Sequence, residues 1–147
     1  MVRENFERRR SPGILLREIW SLIGNYSETM MDHDLSPRNG GMIEQPDLTG
    51  HSGTPGRGAF LILFLRIDDG RIATAKCHTV GCGPTIACAS TLSELVLGRS
   101  IPECSELTAE DLIEALDGVP TDKLHRPALA IGALRDTLTH WERKRDV

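Results

Sequence analysis

The chain has 147 residues, a formal net charge of −4 and 39% hydrophobic residues, which is the size and composition of one globular domain. No apolar run approaches the roughly 20 residues of a membrane-spanning helix, and no secretory signal pattern is visible, so we expect a cytoplasmic protein without a membrane partner. The mixed charge and the aromatic content of only 4% argue against nucleic acid as the main partner.

The first part of the chain predicts two helices. Residues 1–24 are expected to form a charged tail and an extra N-terminal helix, followed by the main domain over residues 25–147. The extra helix is predicted from apolar side chains at helical spacing, namely Leu15, Leu16, Ile19, Trp20 and Ile23. A second short helix is expected to begin after Ser27, whose hydroxyl can cap it, and to end near Asp34.

The middle of the chain predicts an antiparallel hairpin. Residues 46–58 are rich in Gly, Pro, Ser and Thr, which indicates a loop or a weak edge strand. Residues 60–67 have the strongest strand signal in the sequence. The Asp68-Asp69-Gly70 segment is typical of a turn, and residues 71–79 alternate well enough to form the returning strand.

Three helices are predicted after the hairpin. Pro84 suits the first position of a helix over residues 85–97, which Gly98 closes. Thr108 is the predicted N-cap of the next helix, and Pro127 opens the last one. This order predicts an α+β fold: a small three-stranded, mostly antiparallel sheet with helices packed on one face, plus the extra N-terminal helix.

One face of the predicted sheet lacks the polar residues that an open face usually carries. Leu61, Leu63 and Leu65 share one face, so Ile62 and Phe64 are expected to be exposed on the other. An exposed apolar face needs a cover. We therefore predict that the N-terminal helix covers it, or that the chain forms a homo-oligomer through the Ile62/Phe64 face or through that helix.

Four cysteines stand at spacings that do not form a zinc knuckle, and disulfides are not expected in a reducing compartment. Cys77, Cys88 and Cys104 are interpreted as packing residues. Cys82 differs because it lies between two glycines, directly before Pro84. A thiol at a helix N-terminus ionises more easily, so Cys82 is a candidate reactive or metal-binding sulfur, with a simple turn cysteine as the alternative.

Short motifs spread over residues 26–143 occur in one order and together resemble the NifU/IscU family of iron–sulfur cluster assembly scaffolds. They are Tyr26-Ser27-Glu28, Asp32-His33, Pro37-Arg38-Asn39-Gly40, Thr54-Pro55-x-x-Gly58, Thr79-Val80-Gly81-Cys82-Gly83, Ala87 to Ser90, and Lys123-Leu124-His125. The resemblance implies an α+β domain in which three cysteines meet at one end of the sheet. It also implies that they hold a nascent iron–sulfur cluster, iron or zinc, and that a cysteine desulfurase delivers sulfur as persulfide.

The chain departs from the family pattern at these ligand positions. The first family cysteine falls on Arg57, and the assisting aspartate falls on Ala59. Cys82 matches the second cysteine, whereas the third falls on Arg126, beside a matching histidine, His125. Two of the three thiolate positions therefore hold a guanidinium, which cannot ligate a metal.

Three hypotheses follow for the function. The first is a scaffold that binds metal or a cluster through Cys82 and His125, with His51 as a weaker candidate ligand. The second, which we prefer, is a sulfur-accepting or regulatory partner in cluster assembly with no bound metal. In it Arg57 and Arg126 converge on Cys82 and lower its pKa. The third is a non-catalytic interaction module.

We do not expect an enzyme with turnover of its own. The alternative is a thiol-based redox protein that uses Cys82 as an activated thiolate. The family's chaperone-recognition stretch corresponds to residues 119–123, which keep one proline and the lysine. This partial match argues against that chaperone as a partner.

Overall fold

The computed structural model describes residues 26–145, with side chains through residue 143. The predicted N-terminal helix lies outside this part of the chain. The described elements are, in chain order, α1 (Glu28–Leu35), β1 (Leu48–Gly53), β2 (Phe60–Asp68), β3 (Arg71–Val80), α2 (Gly83–Val96), α3 (Ile101–Ser105), α4 (Ala109–Ala115), a 3-10 turn (Thr121–Lys123) and α5 (His125–Arg145).

The three strands form one antiparallel sheet in the order β1-β2-β3. Helix α5 packs on β1 and β2, and α2 packs on β3. Leu61, Leu63 and Leu65 face these helices and are at most 1% exposed. The predicted α+β fold, with a small three-stranded sheet and packed helices, is confirmed.

On the other face of the sheet neither of the two apolar residues is fully exposed, and the N-terminal helix predicted to cover this face lies outside the described residues. Phe64 is only 8% exposed, and Ile62 is half-buried. Phe64 lies on the central strand, directly between Thr49 of β1 and Lys76 of β3. Thr49 and Lys76 are therefore the cross-strand neighbours of Phe64 on this face.

Helix α5 approaches β1 so closely that one position of the strand has no room for a side chain. A Cβ added to Gly50 would lie 2.3 Å from Thr137 Oγ1 and 2.4 Å from the Thr137 backbone nitrogen. Further along, Gly132 leaves space for the Ser52 side chain. These two contacts direct the N-terminal end of α5 toward the C-terminal end of β1.

Both outer edges of the sheet are hydrogen-bonded. At the β1 edge, the backbone N–H of His51 donates to Asp136 Oδ2 of α5 at 2.9 Å. At the β3 edge, the Cys77 N–H donates to the Asn39 carbonyl and the Gly41 N–H donates to the Cys77 carbonyl, each at 2.9 Å. Part of each edge is thus paired within the chain, which is one way in which native sheets limit strand addition.

The helix boundaries differ from prediction in two places. The five-residue helix α3 was not predicted, although Ser100 and Glu103 form a capping box at its start. Helix α5 begins at His125 and not at the predicted Pro127, since a proline is tolerated in the first turn, where its missing N–H is not needed. None of the helices described here is both long and apolar enough to cross a lipid bilayer.

Candidate functional site

The topology brings three distant segments to one end of the sheet. Phe60 pairs with Val80, so the loop between β1 and β2 lies at the same end as the residues that follow β3. The N-terminus of α5 points to this end as well, because Gly132 packs on Ser52 near the end of β1. The three positions that correspond to the family cysteines therefore lie on these three segments.

Cys82 follows β3 and is the N-cap residue of α2. Its backbone is extended, with φ −79° and ψ 175°, and its carbonyl accepts the first helical hydrogen bond, from the Ile86 N–H at 3.1 Å. Pro84 is the second residue of α2, one place after the first helical position predicted for it. The side chain is half-buried, and its sulfur lies 3.4 Å from Thr85 Oγ1.

Several neighbours act on the ionisation of Cys82. Burial by itself opposes the thiolate, but the hydroxyl and backbone amide of Thr85 and the positive charges of Arg126 and Lys123 outweigh it. The pKa of Cys82 is therefore lower than that of an ordinary thiol. Near neutral pH a larger fraction of the molecules then carries Cys82 as a thiolate, and the thiolate is the nucleophilic form.

The other three cysteines have the opposite environment. They are free thiols in the core cluster and are at most 5% exposed. Burial raises the pKa of Cys77 and of Cys88 to about 12, and that of Cys104 to about 11. These values agree with the interpretation of all three as packing residues.

The two glycines beside Cys82 make room for polar neighbours. A Cβ on Gly81 would lie 2.9 Å from the Thr85 side chain, and one on Gly83 would lie 2.6 Å from Asp34 Oδ2. Glycine at both positions thus lets Thr85 approach the sulfur and lets the Asp34 carboxylate rest on the start of α2. Burial raises the pKa of Asp34.

Tyr26 is electrostatically linked to Cys82. Burial raises the pKa of Tyr26, and the negative charges of Cys82, Asp122 and Asp34 raise it further. The sequence reasoning did not single out Thr85, Lys123 or Asp34, although a hydroxyl three residues after an N-cap was a usable signal.

The two predicted arginines, Arg57 and Arg126, have different surroundings. Arg126 lies in the first turn of α5, is half-buried and acts electrostatically on Cys82. Its Nε is buried and has no hydrogen-bond partner among the described residues. Arg57 is exposed in the loop between β1 and β2, and the cations found to act on the Cys82 thiol are Arg126 and Lys123.

The two predicted histidine ligands are both exposed. His125 begins α5, next to Arg126. His51 lies on β1, where its Nδ1 is 3.6 Å from Asp136 Oδ2. No contact between His51 and Cys82 is found in the described part of the chain, so His51 belongs to the β1–α5 edge.

Two further motifs of the sequence form a buried polar network away from Cys82. Arg38 pairs with Asp32, and the Arg38 N–H donates to Ser90 Oγ at 2.9 Å. His33 Nδ1 lies 2.7 Å from the same oxygen, and its Nε2 lies 3.5 Å from Glu94 Oε1. Burial, followed by the charge of Arg38, lowers the pKa of His33. The network ties α1 and its following loop to α2.

The residues at the sheet end do not fit a site with three thiolates. Cys82 supplies one thiolate, while the two other family positions hold Arg57 and Arg126, which keep their protons. Across residues 26–145, no three side chains of His, Cys, Asp or Glu are grouped closely enough to hold a metal ion. The arrangement is suited to a single ionised sulfur flanked by cations.

The fold and this site define an α+β domain with one accessible thiol at the end of a three-stranded sheet. The chain belongs to the family described as the NifU-like N terminal domain, which its residues 25–147 match.

The similar proteins are named as cluster assembly scaffolds. The iron-sulfur cluster assembly scaffold protein IscU 1 of Archaeoglobus fulgidus is 37% identical over 119 residues, which cover 81% of this chain and 78% of that protein. The IscU scaffold protein of Escherichia coli K12 is 34% identical over 125 residues, covering 82% and 97%. Among solved structures, a putative SUF-system scaffold from Fervidobacterium islandicum AW-1 matches with a TM-score of 0.61 at 19% identity, covering 77% of this chain and 96% of that one. That structure supports the fold.

Proposed function

We propose that this protein works in iron–sulfur cluster assembly and that Cys82 is its sulfur-accepting residue. The observation that carries the proposal is the contrast among the four cysteines. The pKa of Cys82 is lowered at a half-buried position at the end of the sheet, whereas burial raises the pKa of the other three. The names of the relatives support a part in iron–sulfur cluster assembly. The lowered pKa of the Cys82 thiol supports its role as the sulfur acceptor.

The proposed step transfers one sulfur atom. The Cys82 thiolate attacks the outer sulfur of a persulfide on the donor, and a new S–S bond forms on Cys82. The S–S bond of the donor breaks at the same time, and the donor cysteine leaves as a thiolate. Sulfur and electrons balance without an added oxidant or reductant.

The donor that we propose is a cysteine desulfurase, since such an enzyme carries a persulfide of this kind. We place the exchange in the cytoplasm, where cysteine side chains stay reduced. A cluster or an iron ion would be cargo that the assembly system builds with this sulfur. In this proposal the chain passes on sulfur and has no turnover of its own.

The test is sulfur transfer followed by mass. The full chain is incubated with a cysteine desulfurase and L-cysteine, and the product is measured by intact mass and peptide mapping. We expect one added sulfur atom on Cys82 in the wild type and in Cys77→Ala, and none in Cys82→Ser. Sulfur on a different cysteine, or no transfer to the wild type, would contradict the proposal.

A further inference from the structure

We infer that Arg126 converts the third ligand position of this site from a metal ligand into an anion-binding group. In this arrangement Cys82 and Arg126 form a subsite for the terminal sulfur of a persulfide, and the subsite excludes metal cations. The inference rests on the proposed function, because it names the form in which sulfur is held on Cys82. It goes further by assigning the selectivity of the site to one side chain.

Arg126 has an unused hydrogen-bond donor within the described part of the chain. Arg126 Nε is buried and lacks a partner among the residues described. A buried N–H without an acceptor is unfavourable, and native proteins leave few of them. This unpaired donor lies on a residue at the same end of the sheet as Cys82, where an anion held on the sulfur would supply the missing acceptor.

Both charged side chains that favour the Cys82 thiolate are positive. Lys123 ends the 3-10 turn and Arg126 lies in the first turn of α5, both at the end of the sheet where Cys82 lies, and both act electrostatically on its thiol. Two fixed cations beside one thiolate stabilise additional negative charge and repel Fe²⁺ or Zn²⁺. The neighbouring His125 is exposed, and no three metal-binding side chains are grouped within the described residues.

The Cys82 sulfur lies at the N-terminus of a helix. Cys82 is the N-cap of α2, a helix of 14 residues, and Thr85 Oγ1 lies 3.4 Å from Sγ. A helix N-terminus favours an anion, and a persulfide anion carries its charge on the outer sulfur. The outer sulfur can then accept from Arg126 while Sγ stays next to Thr85. These contacts match an anionic sulfur better than a metal ion.

The experiment measures sulfur retention and metal binding on the same variants. Wild type, Arg126→Gln and Arg126→Lys are loaded with inorganic tetrasulfide, whose trisulfide anion leaves when Cys82 takes one sulfur. A small thiol is then added, which takes the outer sulfur as its own persulfide and leaves the Cys82 thiolate, and intact mass follows the lifetime of the Cys82 persulfide. Arg66→Gln is the matched control, because it removes one positive charge from an exposed position on β2.

We expect Arg126→Gln to shorten the persulfide lifetime roughly tenfold, the effect of losing one hydrogen bond to a charged group. Arg126→Lys should shorten it less, and Arg66→Gln should not change it. Lys123→Gln is the second variant and should also shorten it. Lys123→Gln removes a positive charge that acts on Cys82 but leaves the first turn of α5 unchanged. The test therefore does not depend on the correct folding of a single variant.

Metal binding gives the independent readout. After dialysis against Zn²⁺, elemental analysis should find no zinc on the wild type. The Arg57→Cys/Arg126→Cys variant restores both family thiolates and should hold about one zinc per chain. Zinc bound to the wild type through Cys82 would overturn the inference.

Two failures can be told apart. If Cys82 loads normally but neither Arg126→Gln nor Lys123→Gln changes the lifetime, the inference fails and the proposed function stands. If the wild type takes no sulfur from tetrasulfide or from a desulfurase, the proposed function fails, and the inference fails with it.

Discussion

The hydroxyl oxygen of Thr85 lies 3.4 Å from the sulfur of Cys82, one turn into the helix that Cys82 caps. Gly81 makes this approach possible, since a side chain there would collide with Thr85. The contact is one of the interactions that lower the pKa of Cys82. Gly81 therefore does more than expose the thiol, because it lets Thr85, which favours the thiolate, come into reach.

Replacing Thr85 by valine should raise the pKa of Cys82. Valine keeps the shape of the buried side chain but removes the hydroxyl that stabilises the thiolate. The pH dependence of iodoacetamide labelling at Cys82 should shift to higher pH in Thr85→Val. Thr85→Ser keeps the hydroxyl and should stay close to the wild type. Equal midpoints in wild type and Thr85→Val would show that the hydroxyl has no part in the ionisation.

Replacing Gly50 by alanine should destabilise the fold strongly. The added methyl group would meet the backbone and the hydroxyl of Thr137, and the backbone of a packed helix cannot move aside cheaply. We expect a loss of about 1–3 kcal/mol or more in the free energy of unfolding by urea. Gly40→Ala is the control, since nothing lies within 4 Å of its added Cβ. Similar losses in both variants would contradict the close contact between β1 and α5.

Protonation of His33 should destabilise the folded chain. Its folded pKa lies below that of an unfolded histidine, so only the unfolded chain takes up the proton as the pH first falls. The free energy of unfolding should therefore decrease as the pH drops below about 6.5 and level off once the folded histidine also protonates. Urea titrations across this range should show a weaker slope in His33→Gln than in the wild type. The exposed His78 provides the control variant, His78→Gln. An unchanged slope in His33→Gln would exclude His33 as its source.

Removing the Asp136 carboxylate should loosen the β1 edge. The His51 N–H donates to Asp136 Oδ2 at 2.9 Å, and Asp136→Ala leaves this donor to water. We expect a loss of about 1 kcal/mol and faster hydrogen exchange at the His51 amide. Asp136→Asn keeps an acceptor oxygen and should protect the amide better than alanine. Unchanged exchange in Asp136→Ala would indicate that the strand edge is held by other contacts.

Much of the fold was predictable because its local signals agree with its packing. Ser27 caps α1 and Thr108 forms a capping box with Asp111, both as expected from the sequence. The α3 helix was missed because five residues give no hydrophobic period, although its capping box at Ser100 was visible. The 8% exposure of Phe64 was not predictable, because alternation along one strand does not show what covers its outer face.

Cys82 could be predicted from the sequence, but which of the two arginines acts on it could not. Cys82 stood out because its glycines and the following Pro84 are adjacent in sequence. Arg57 and Arg126 looked equivalent as replacements of family cysteines, yet Arg126 is in a helical turn near the thiol and Arg57 is in an exposed loop. Loop conformation and side-chain burial separate them, and neither follows from spacing alone.

The most direct test of the account is the labelling rate of Cys82 as a function of pH in the otherwise unmodified chain. We predict one rapidly alkylated thiol, mapped to Cys82, with a midpoint below the value of roughly 8.5 for an ordinary free thiol. Cys82→Ser should leave only slow labelling, because the other three thiols are buried. A midpoint at or above that value, or rapid labelling of a different cysteine, would contradict the central claim that Cys82 is the activated sulfur of this protein.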